Sequence, residues 1–387
     1  MGKLAEAFFS LKIWFLHSQR ILPWRDLPEV YPVWISEIML QQTQVITVVP
    51  YFQRFIQTFP NVDILANAEE DEVLKHWAGL GYYSRARNIH RAAKKIRFEL
   101  GGEFPSTREG WVAIPGVGQY TAGAILSIAF NQPEAILDGN VERVLSRVRC
   151  AGRERGDAVY KSRLWKLSEI FVRRAALLGV EPRILNQALM ELGAKICTPK
   201  NPKCEECPIR SICRADQRNL TFVYPQRRAP KAWVKVEEKV VCLLNGRGQV
   251  LLERRKDSKW RQGLWDLPES LPRSLSSKAK ELESVEIRYV VTRHKVTRHA
   301  KVLQQASNQW TVAQSDPDCE RRWVSLAEPE VPAGSALKKT LKKVSHARQC
   351  LAPFLMLGAS ILGLSLTTEQ KSRSTFACPL APPHKHL

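Results

Sequence analysis

Residues 114–122 have the sequence Ile-Pro-Gly-Val-Gly-Gln-Tyr-Thr-Ala, which is typical of a tight turn between two helices. Gly116 and Gly118 form a predicted tight turn, and an apolar helix follows at once. Glycine permits a positive φ and lets the backbone approach a ligand closely. The N–H groups that open a helix bind anions, and a phosphate contact there carries no base sequence information. An ordinary turn between two helices is the alternative interpretation.

Apolar residues recur at three- and four-residue intervals on both sides of this turn, which is the period of an α-helix. The clearest runs are Val33–Val49, Ile64–Trp77 and Ile184–Leu192. Gly and Pro residues separate the runs, and no β-branched run with period two occurs among them. We therefore predict an all-α domain over residues 1–220.

The pattern changes after residues 221–232, a Pro- and Arg-rich segment without a periodic face that we interpret as a linker. Two apolar runs around Asn245-Gly246 predict a pair of strands and a turn. Other predicted elements are strands at 287–291, 301–303 and 322–325, and a helix near 276–282. Together they predict a smaller α+β domain over residues 233–345. Residues 346–387 form a tail to which the sequence assigns no structure.

The composition is that of a globular, basic protein. The 387 residues include 11 Trp and 13 Phe, enough to build apolar cores, so wholesale disorder is excluded. Lys and Arg number 59 against 38 Asp and Glu, a formal net charge of +21, of which residues 221–387 contribute +14. This excess favours a polyanionic partner, nucleic acid before acidic lipid, although a merely soluble basic protein would share it.

The N-terminal sequence lacks a secretory pattern, because Glu6 and Lys12 interrupt its apolar stretch. The longest weakly polar run, Leu351–Leu366, contains Pro353 and falls short of the ~20 residues that span a bilayer. We therefore expect a protein without a signal peptide or membrane partner, located in the cytoplasm or the nucleoid of a bacterium.

Four cysteines lie close together in a C-x6-C-x2-C-x5-C pattern: Cys197, Cys204, Cys207 and Cys213. Prolines lie among them, so the segment is a predicted loop. Four thiolates this close can hold tetrahedral zinc or a 4Fe-4S cluster. Zinc modules usually pair two short spacings and only one is present, which favours iron–sulfur over zinc or free thiols. The basic residues around the loop would contact phosphates, or merely solvate it: Lys195, Lys200, Lys203, Arg210 and Arg214.

Asp138 lies twenty residues beyond Gly118, directly before a helical run. The residue taken alone indicates a helix N-cap. A carboxylate directed into a cleft is the functional alternative.

These features together resemble the helix-hairpin-helix DNA glycosylase superfamily and, within it, the MutY-type adenine DNA glycosylases. Residues 10–220 carry the resemblance well and residues 230–330 weakly. The motifs are Leu-Pro-Trp-Arg at 22–25, Ser-Glu-Ile-Met-Leu-Gln-Gln-Thr-Gln at 36–44, Gly-Leu-Gly-Tyr-Tyr at 79–83 and Ile-Leu-Asp-Gly-Asn-Val at 136–141. The implied function is removal of adenine mispaired with 8-oxoguanine or guanine in double-stranded DNA, by a monomer that contains a 4Fe-4S cluster.

Cleavage of a purine–sugar bond requires a proton donor and an anion, which two carboxylates in different surroundings provide. Glu37 lies on an apolar helix, where burial raises the pKa of a Glu above its free value of ~4.3. The resemblance implies that Glu37 protonates adenine at the seven-position nitrogen. Asp138 is expected to stay ionised and to stabilise the oxocarbenium-like sugar.

Tyr120 determines the expected type of reaction. In the related endonuclease III-type enzymes, this position before Thr-Ala holds a lysine that forms a Schiff base with the sugar. A phenol cannot replace that amine. We therefore expect hydrolysis alone, which leaves an abasic site.

The resemblance also implies the DNA contacts. The target nucleotide leaves the duplex, and Gln42 is expected to wedge into the stack while Thr43, Leu80 and Tyr82 hold the opposite strand. Trp24, Arg25 and Gln187 are the expected adenine pocket. Further expected contacts of substrate or DNA come from Gly116, Gly118, Tyr120 and Asn140.

Residues 260–268, Trp-Arg-Gln-Gly-Leu-Trp-Asp-Leu-Pro, resemble the MutT-like (Nudix) domain with which these glycosylases check the opposite 8-oxoguanine. The sequence has no Arg-Glu-x-x-Glu-Glu helix to hold magnesium, so we expect binding without hydrolysis. The family's Phe-Ser-His stretch corresponds to Thr292-Arg293-His294. Thr292 stands where the family has the Phe that acts as a wedge, and Arg293 stands where it has the Ser hydroxyl. Only His294 matches the family's stretch.

Two alternatives remain. A bifunctional pyrimidine-lesion glycosylase/lyase of the endonuclease III type would use the same scaffold. A catalytically silent DNA-scanning iron–sulfur protein would use it without chemistry, although the presence of both Glu37 and Asp138 argues against this.

Overall fold

The structure is a computed structural model. It describes residues 2–152, 157–226, 232–256, 260, 262–271, 279–305, 320–327 and 329–359. The first part is helical and the second combines a sheet with a helix, as predicted; the sheet is mixed, which the sequence did not predict.

The helical part contains twelve α-helices among its described residues: α1 Lys3–Ser18, α2 Val30–Leu40, α3 Val45–Thr58, α4 Val62–Asn67, α5 Glu70–Trp77, α6 Ser84–Lys94, α7 Arg108–Val112, α8 Gln119–Ile128, α9 Gly139–Arg149, α10 Ala158–Leu177, α11 Pro182–Lys195 and α12 Arg214–Gln217. A π-helical turn at Lys95–Glu99 extends α6. Short 3₁₀ turns at Cys204–Glu206 and Arg210–Ile212 belong to the cysteine loop.

One apolar core joins these helices. It contains fully buried aromatic side chains such as Trp34, Trp77 and Trp111. α2 is buried along nearly its whole length, with eight of its eleven residues in the interior. A helix this enclosed holds its side chains in fixed positions, because close packing leaves them few alternatives.

The predicted hairpin connects α7 to α8. Gly116 has φ +80°, and a Cβ at this position would lie 2.8 Å from the Asn88 Cβ. The turn therefore requires glycine here for both conformation and space. Gly118 has φ −99° and serves as the N-cap of α8 without offering a side-chain acceptor.

The second part contains the strands β1 Val234–Leu244, β2 Gln249–Arg254, β3 Trp265–Asp266, β4 Ala279–Val291, β5 His294–Gln305 and β6 Arg321–Ser325. The order is β3-β2-β1-β5-β4, with β6 also paired to β2. β1 and β5 are parallel, from the Val234–His294 pair to the Leu244–Gln304 pair, and the other pairings are antiparallel. The helix α13, Ser335–Ala359, contributes Leu337, Leu341 and Val344 to a separate apolar core.

One predicted element is wrong. The helix expected near 276–282 is absent from residues 279–282, where β4 begins; residues 276–278 lie outside the described ranges. Ala279 pairs with Gln305 and Lys280 with Gln304 at the far end of β5. Pairing along the full length of β5, which follows β4 in an antiparallel hairpin, thus overrides the local helix propensity.

α13 also extends past residue 345, where the sequence placed the end of the second domain, and it continues to Ala359. Residues 360–387 of the expected tail lie outside the described ranges. Among the described helices, none combines the length and the hydropathy of a membrane-spanning segment.

Candidate active site

A cavity of about 560 Å³ opens between α2, α8, α9 and α11 and the loop after α1. We call it the carboxylate cavity. Ten of the residues that the sequence singled out line it: Trp24, Arg25, Glu37, Gln42, Thr43, Gly118, Tyr120, Asp138, Asn140 and Gln187.

Glu37 is buried in the wall of this cavity, with 5% of its surface exposed. Burial raises the pKa of its carboxyl to about 7; the hydrogen bond from Tyr120 lowers that pKa and the charge of Asp138 raises it. Near neutral pH the carboxyl therefore exchanges a proton readily, as a general acid must.

Tyr120 is the second residue of α8 and contacts Glu37 directly. Its hydroxyl donates a hydrogen bond to Glu37 Oε2 at 2.9 Å and lies 3.3 Å from Met190 Sδ. Burial raises the pKa of this phenol well above its usual value, so the hydroxyl stays protonated. The sequence indicated that this position lacks the lysine amine, but it did not predict the hydrogen bond between Tyr120 and Glu37.

Asp138 is the N-cap of α9 and lines the carboxylate cavity. Its Oδ1 accepts from the N–H groups of Asn140 at 3.0 Å and Val141 at 2.7 Å, and Oδ2 accepts from Asn140 Nδ2 at 3.1 Å. The cap interpretation is confirmed, and the cleft alternative is compatible with it. Burial raises the pKa of Asp138, while these donors and Arg143 oppose the increase.

Two arginines and a buried glutamate also line the carboxylate cavity. Arg20 and Arg25 each reach Glu191 at 2.7 Å, and the Glu191 side chain is fully buried. Burial acts to raise the pKa of Glu191, but the two arginines outweigh it and lower that pKa. Arg25 Nε also donates to Gln187 Oε1 at 3.3 Å. Sequence reasoning missed Arg20 and Glu191, because only the fold brings them together.

Four predicted contact residues lie outside this cavity. Gly116 is in the hairpin, where its carbonyl accepts from Gln41 Nε2 at 3.5 Å. Leu80 is buried, with 6% exposed, whereas Tyr82 is 42% exposed and lines a second cavity beside Trp260 and Thr292. His294 packs against Trp260 with ring centroids 4.8 Å apart.

The four cysteines of the loop line one small cavity together with Arg147. Arg147 Nη1 donates to Cys197 Sγ at 3.2 Å. No group of three or more His, Cys, Asp or Glu side chains in the described residues is placed to share a single metal ion. Zinc requires every sulfur within about 2.3 Å of one ion. Four thiols that line one common cavity provide the donor set of a 4Fe-4S cluster.

Burial raises the pKa of the Cys204 thiol to about 11 and that of Cys207 to about 12, and the other cysteines add to both increases. Such thiols become ligands only when a metal centre displaces their protons. The donor set therefore fits a cationic cluster that neutralises four crowded thiolates.

The substitution Cys207→Ser is expected to reduce the iron and acid-labile sulfide content of the purified protein and to lower its melting temperature. The matched control is Cys150→Ser, because Cys150 lies outside the loop at the end of α9. Unchanged iron content in Cys207→Ser would contradict the assignment of this ligand.

Comparison with known proteins gives three matches along the chain. Residues 35–169 match the HhH-GPD superfamily of base excision DNA repair proteins, residues 197–213 match the iron–sulfur binding domain of endonuclease III, and residues 239–343 match the NUDIX domain. The predicted fold class and the iron–sulfur cofactor are confirmed by these matches.

Adenine DNA glycosylases are among the similar proteins. That of Homo sapiens is 38% identical over 312 residues, covering 67% of this chain and 56% of the human protein. That of Mus musculus is 47% identical over 218 residues, covering 54% and 41%. That of Buchnera aphidicola subsp. Baizongia pistaciae is 38% identical over 257 residues, covering 65% and 69%. The chain thus spans about half the length of its mammalian relatives.

Proposed function

The chain belongs to the adenine DNA glycosylase family, and from this premise we propose that it hydrolyses the bond between adenine and deoxyribose in double-stranded DNA. The proposed substrates are adenines paired with 8-oxoguanine or guanine. One observation carries the proposal: a buried Glu37 with a pKa of about 7 and the capping carboxylate Asp138 line the same cavity.

In the proposed reaction, Glu37 transfers its proton to the seven-position nitrogen of adenine. The bond between the sugar C1′ and the base then breaks, and the electron pair leaves with the base. The carboxylate of Asp138 stabilises the cationic sugar, and its backbone donors keep that carboxylate in place. Water adds at C1′ and returns a proton to Glu37, which restores the enzyme.

Tyr120 supports hydrolysis without strand cleavage. Its hydroxyl is occupied by Glu37, and a phenol forms no Schiff base. The proposed product is therefore an abasic site in an intact strand, and borohydride should trap no covalent complex.

For recognition, we propose that Trp24, Arg25 and Gln187 contact the extruded adenine. Arg25 and Gln187 already share a hydrogen bond, so the base would meet donors and acceptors in a fixed arrangement. Gln42, Thr43, Leu80 and Tyr82 would contact the duplex beside it. Leu80 is buried, so its contact requires the surrounding loop to move.

The proposed phosphate contacts involve the hairpin and the cysteine loop. Gly118 supplies no side-chain cap to α8, so the first N–H groups of that helix are available to an anion. Asn140 would act beside Asp138, to which its side chain donates.

For the second part of the chain, we propose binding of the opposite strand without hydrolysis. His294 and Trp260 form an aromatic pair near the second cavity. The protein would act as a monomer, in the cytoplasm or on the nucleoid of a bacterium.

The experiment uses three labelled duplexes, with adenine opposite 8-oxoguanine, guanine or thymine, and treats the products with alkali. We expect strand scission after alkali for the first two and none without alkali. Absence of scission for both would overturn the proposed function, and borohydride trapping would instead support the glycosylase/lyase alternative.

The excision rate is also expected to depend on pH. The reactive form of Glu37 is protonated, and its pKa is about 7, so the single-turnover rate should fall by about tenfold per pH unit well above neutrality. DNA binding measured over the same range serves as the control. A rate that stays constant to high pH would exclude Glu37 as the proton donor.

A further inference from the structure

Two turns, one lining the carboxylate cavity and one lining the second cavity, have backbone conformations that non-glycine residues rarely adopt. Gln42 follows α2 with φ 57°, and Tyr82 precedes α6 with φ 50°. Left-handed residues of this kind persist when their surroundings hold them. Both side chains are exposed. Packing of these side chains into the core therefore does not explain their left-handed backbone conformation.

Arg85 on α6 connects the two turns. Its side chain is buried, with 7% of the residue exposed. Nη1 donates to Gln41 O at 2.7 Å, and Nη2 donates to Gly81 O at 3.1 Å. These carbonyls directly precede Gln42 and Tyr82, so one guanidinium fixes the peptide that enters each strained residue.

The same side chain makes further contacts with both turns. It donates to Met39 O at 2.6 Å, to Ile38 O at 3.0 Å and to Thr43 Oγ1 at 3.0 Å. The guanidinium also lies 5.4 Å from the Tyr82 ring centroid. Arg85 therefore satisfies carbonyls at the end of α2, which carries Glu37, and its guanidinium lies over the exposed ring of Tyr82.

We propose that Arg85 is a positioning residue that holds the Gln42 turn and the Tyr82 turn at a fixed separation, and that this separation controls extrusion of the target nucleotide. The inference rests on the proposed function. The inference assigns a role in that function to Arg85, which is buried and touches no substrate, and which acts through the exposed residues Gln42 and Tyr82.

An arginine is required because its five donors lie in a rigid planar fork. Lysine keeps the charge but carries one flexible ammonium group, which cannot bridge Gln41 O and Gly81 O while supporting the Tyr82 ring. The substitution Arg85→Lys should therefore weaken the link between the two turns while it keeps the positive charge beside their carbonyl groups.

The test is a double-mutant cycle on single-turnover excision of adenine opposite 8-oxoguanine. We expect Arg85→Lys to reduce the rate by about 10-fold to 100-fold, as a displacement of about 1 Å does in other active sites. Gln42→Ala should also reduce the rate. Because Arg85 holds the Tyr82 turn as well as the Gln42 turn, the rate of the combined variant should be reduced by less than the product of the two single reductions.

A second readout follows extrusion directly. 2-Aminopurine placed next to the target adenine increases its fluorescence when the adenine leaves the stack. Arg85→Lys should slow this increase, whereas a protein impaired only in chemistry would show it at the normal rate. The matched control is Arg97→Lys, because Arg97 lies on the extension of the same helix in an exposed ion pair with Asp63.

The inference would be overturned if the reduction in the combined variant equalled the product of the two single reductions. It would also be overturned if Arg85→Lys left the rate of the fluorescence increase unchanged. Arg85→Gln replaces the lysine variant in the same cycle if the latter does not fold, and the same two outcomes decide. Wild-type protein that fails to excise adenine would overturn the proposed function instead, so the two failures are distinguishable.

Discussion

Glu37→Gln is expected to reduce the single-turnover rate of adenine excision by at least about 10³-fold, within the range for loss of a general acid. The amide is nearly the same size as the carboxyl and its oxygen can still accept the Tyr120 hydrogen bond, so the cavity should keep its shape. It has no proton to transfer to adenine. Affinity for the mispaired duplex, measured by gel mobility shift, should remain close to that of the wild type.

Glu29→Gln is the matched control, since Glu29 is the exposed N-cap position of the same helix. It should excise adenine at the wild-type rate. Loss of both excision and DNA binding in Glu37→Gln would indicate that Glu37 has a structural role.

The same substitution has an expected effect on stability. The pKa of Glu37 rises from 4.5 to about 7 on folding, so its contribution to stability is complete below about 4.5 and is lost as the pH rises through about 7. Burial of the charged form therefore opposes folding at pH 8 by about 3 kcal/mol. At pH 8, the free energy of unfolding of Glu37→Gln should exceed that of the wild type by about this amount. At pH 5 the difference should be much smaller, and urea titration at both pH values measures it.

Asp138→Asn is the second large effect, with an expected loss of about 10³-fold in excision. The negative charge proposed to stabilise the cationic sugar disappears, but the amide oxygen can still accept from the N–H groups of Asn140 and Val141. The melting temperature should therefore change little. The residual activity should also decline at a lower pH, because the charge of Asp138 raises the pKa of Glu37.

Two variants separate the charge of Asp138 from its cap. Asp138→Ala should lose excision and, in addition, about 1 kcal/mol of stability from the missing cap. Asp157→Asn alters an equivalent cap on α10, where Asp157 accepts from Tyr160 N at 2.9 Å, and should excise normally. Wild-type excision by Asp138→Asn would exclude a catalytic carboxylate at this position.

The sequence predicted those features that local patterns encode. The hairpin depends on Gly116, the iron–sulfur loop on cysteine spacing, and the burial of Glu37 on the apolar residues around it in α2. Each involves residues that are neighbours in the chain or lie on one helix, so periodicity and spacing suffice to indicate them.

The features that it missed depend on residues distant in the chain. Arg20 and Arg25 meet Glu191 across more than 160 positions, and Arg85 contacts Gln41 across 44. A charged residue in a sequence normally indicates a solvent-exposed position. The neighbouring residues in the chain do not show which of the charged residues are buried. The strand at Ala279 was missed for a related reason, because its partner Gln305 lies in β5.

The parallel pairing of β1 with β5 has a consequence for synthesis of the protein on the ribosome. β1 is complete at Leu244, but its long partner ends only at Gln305. During the interval one edge of β1 presents unpaired backbone groups, which invite association with other nascent chains. A premature stop codon in that interval should therefore yield a product that aggregates, even though the helical part of the chain is already complete.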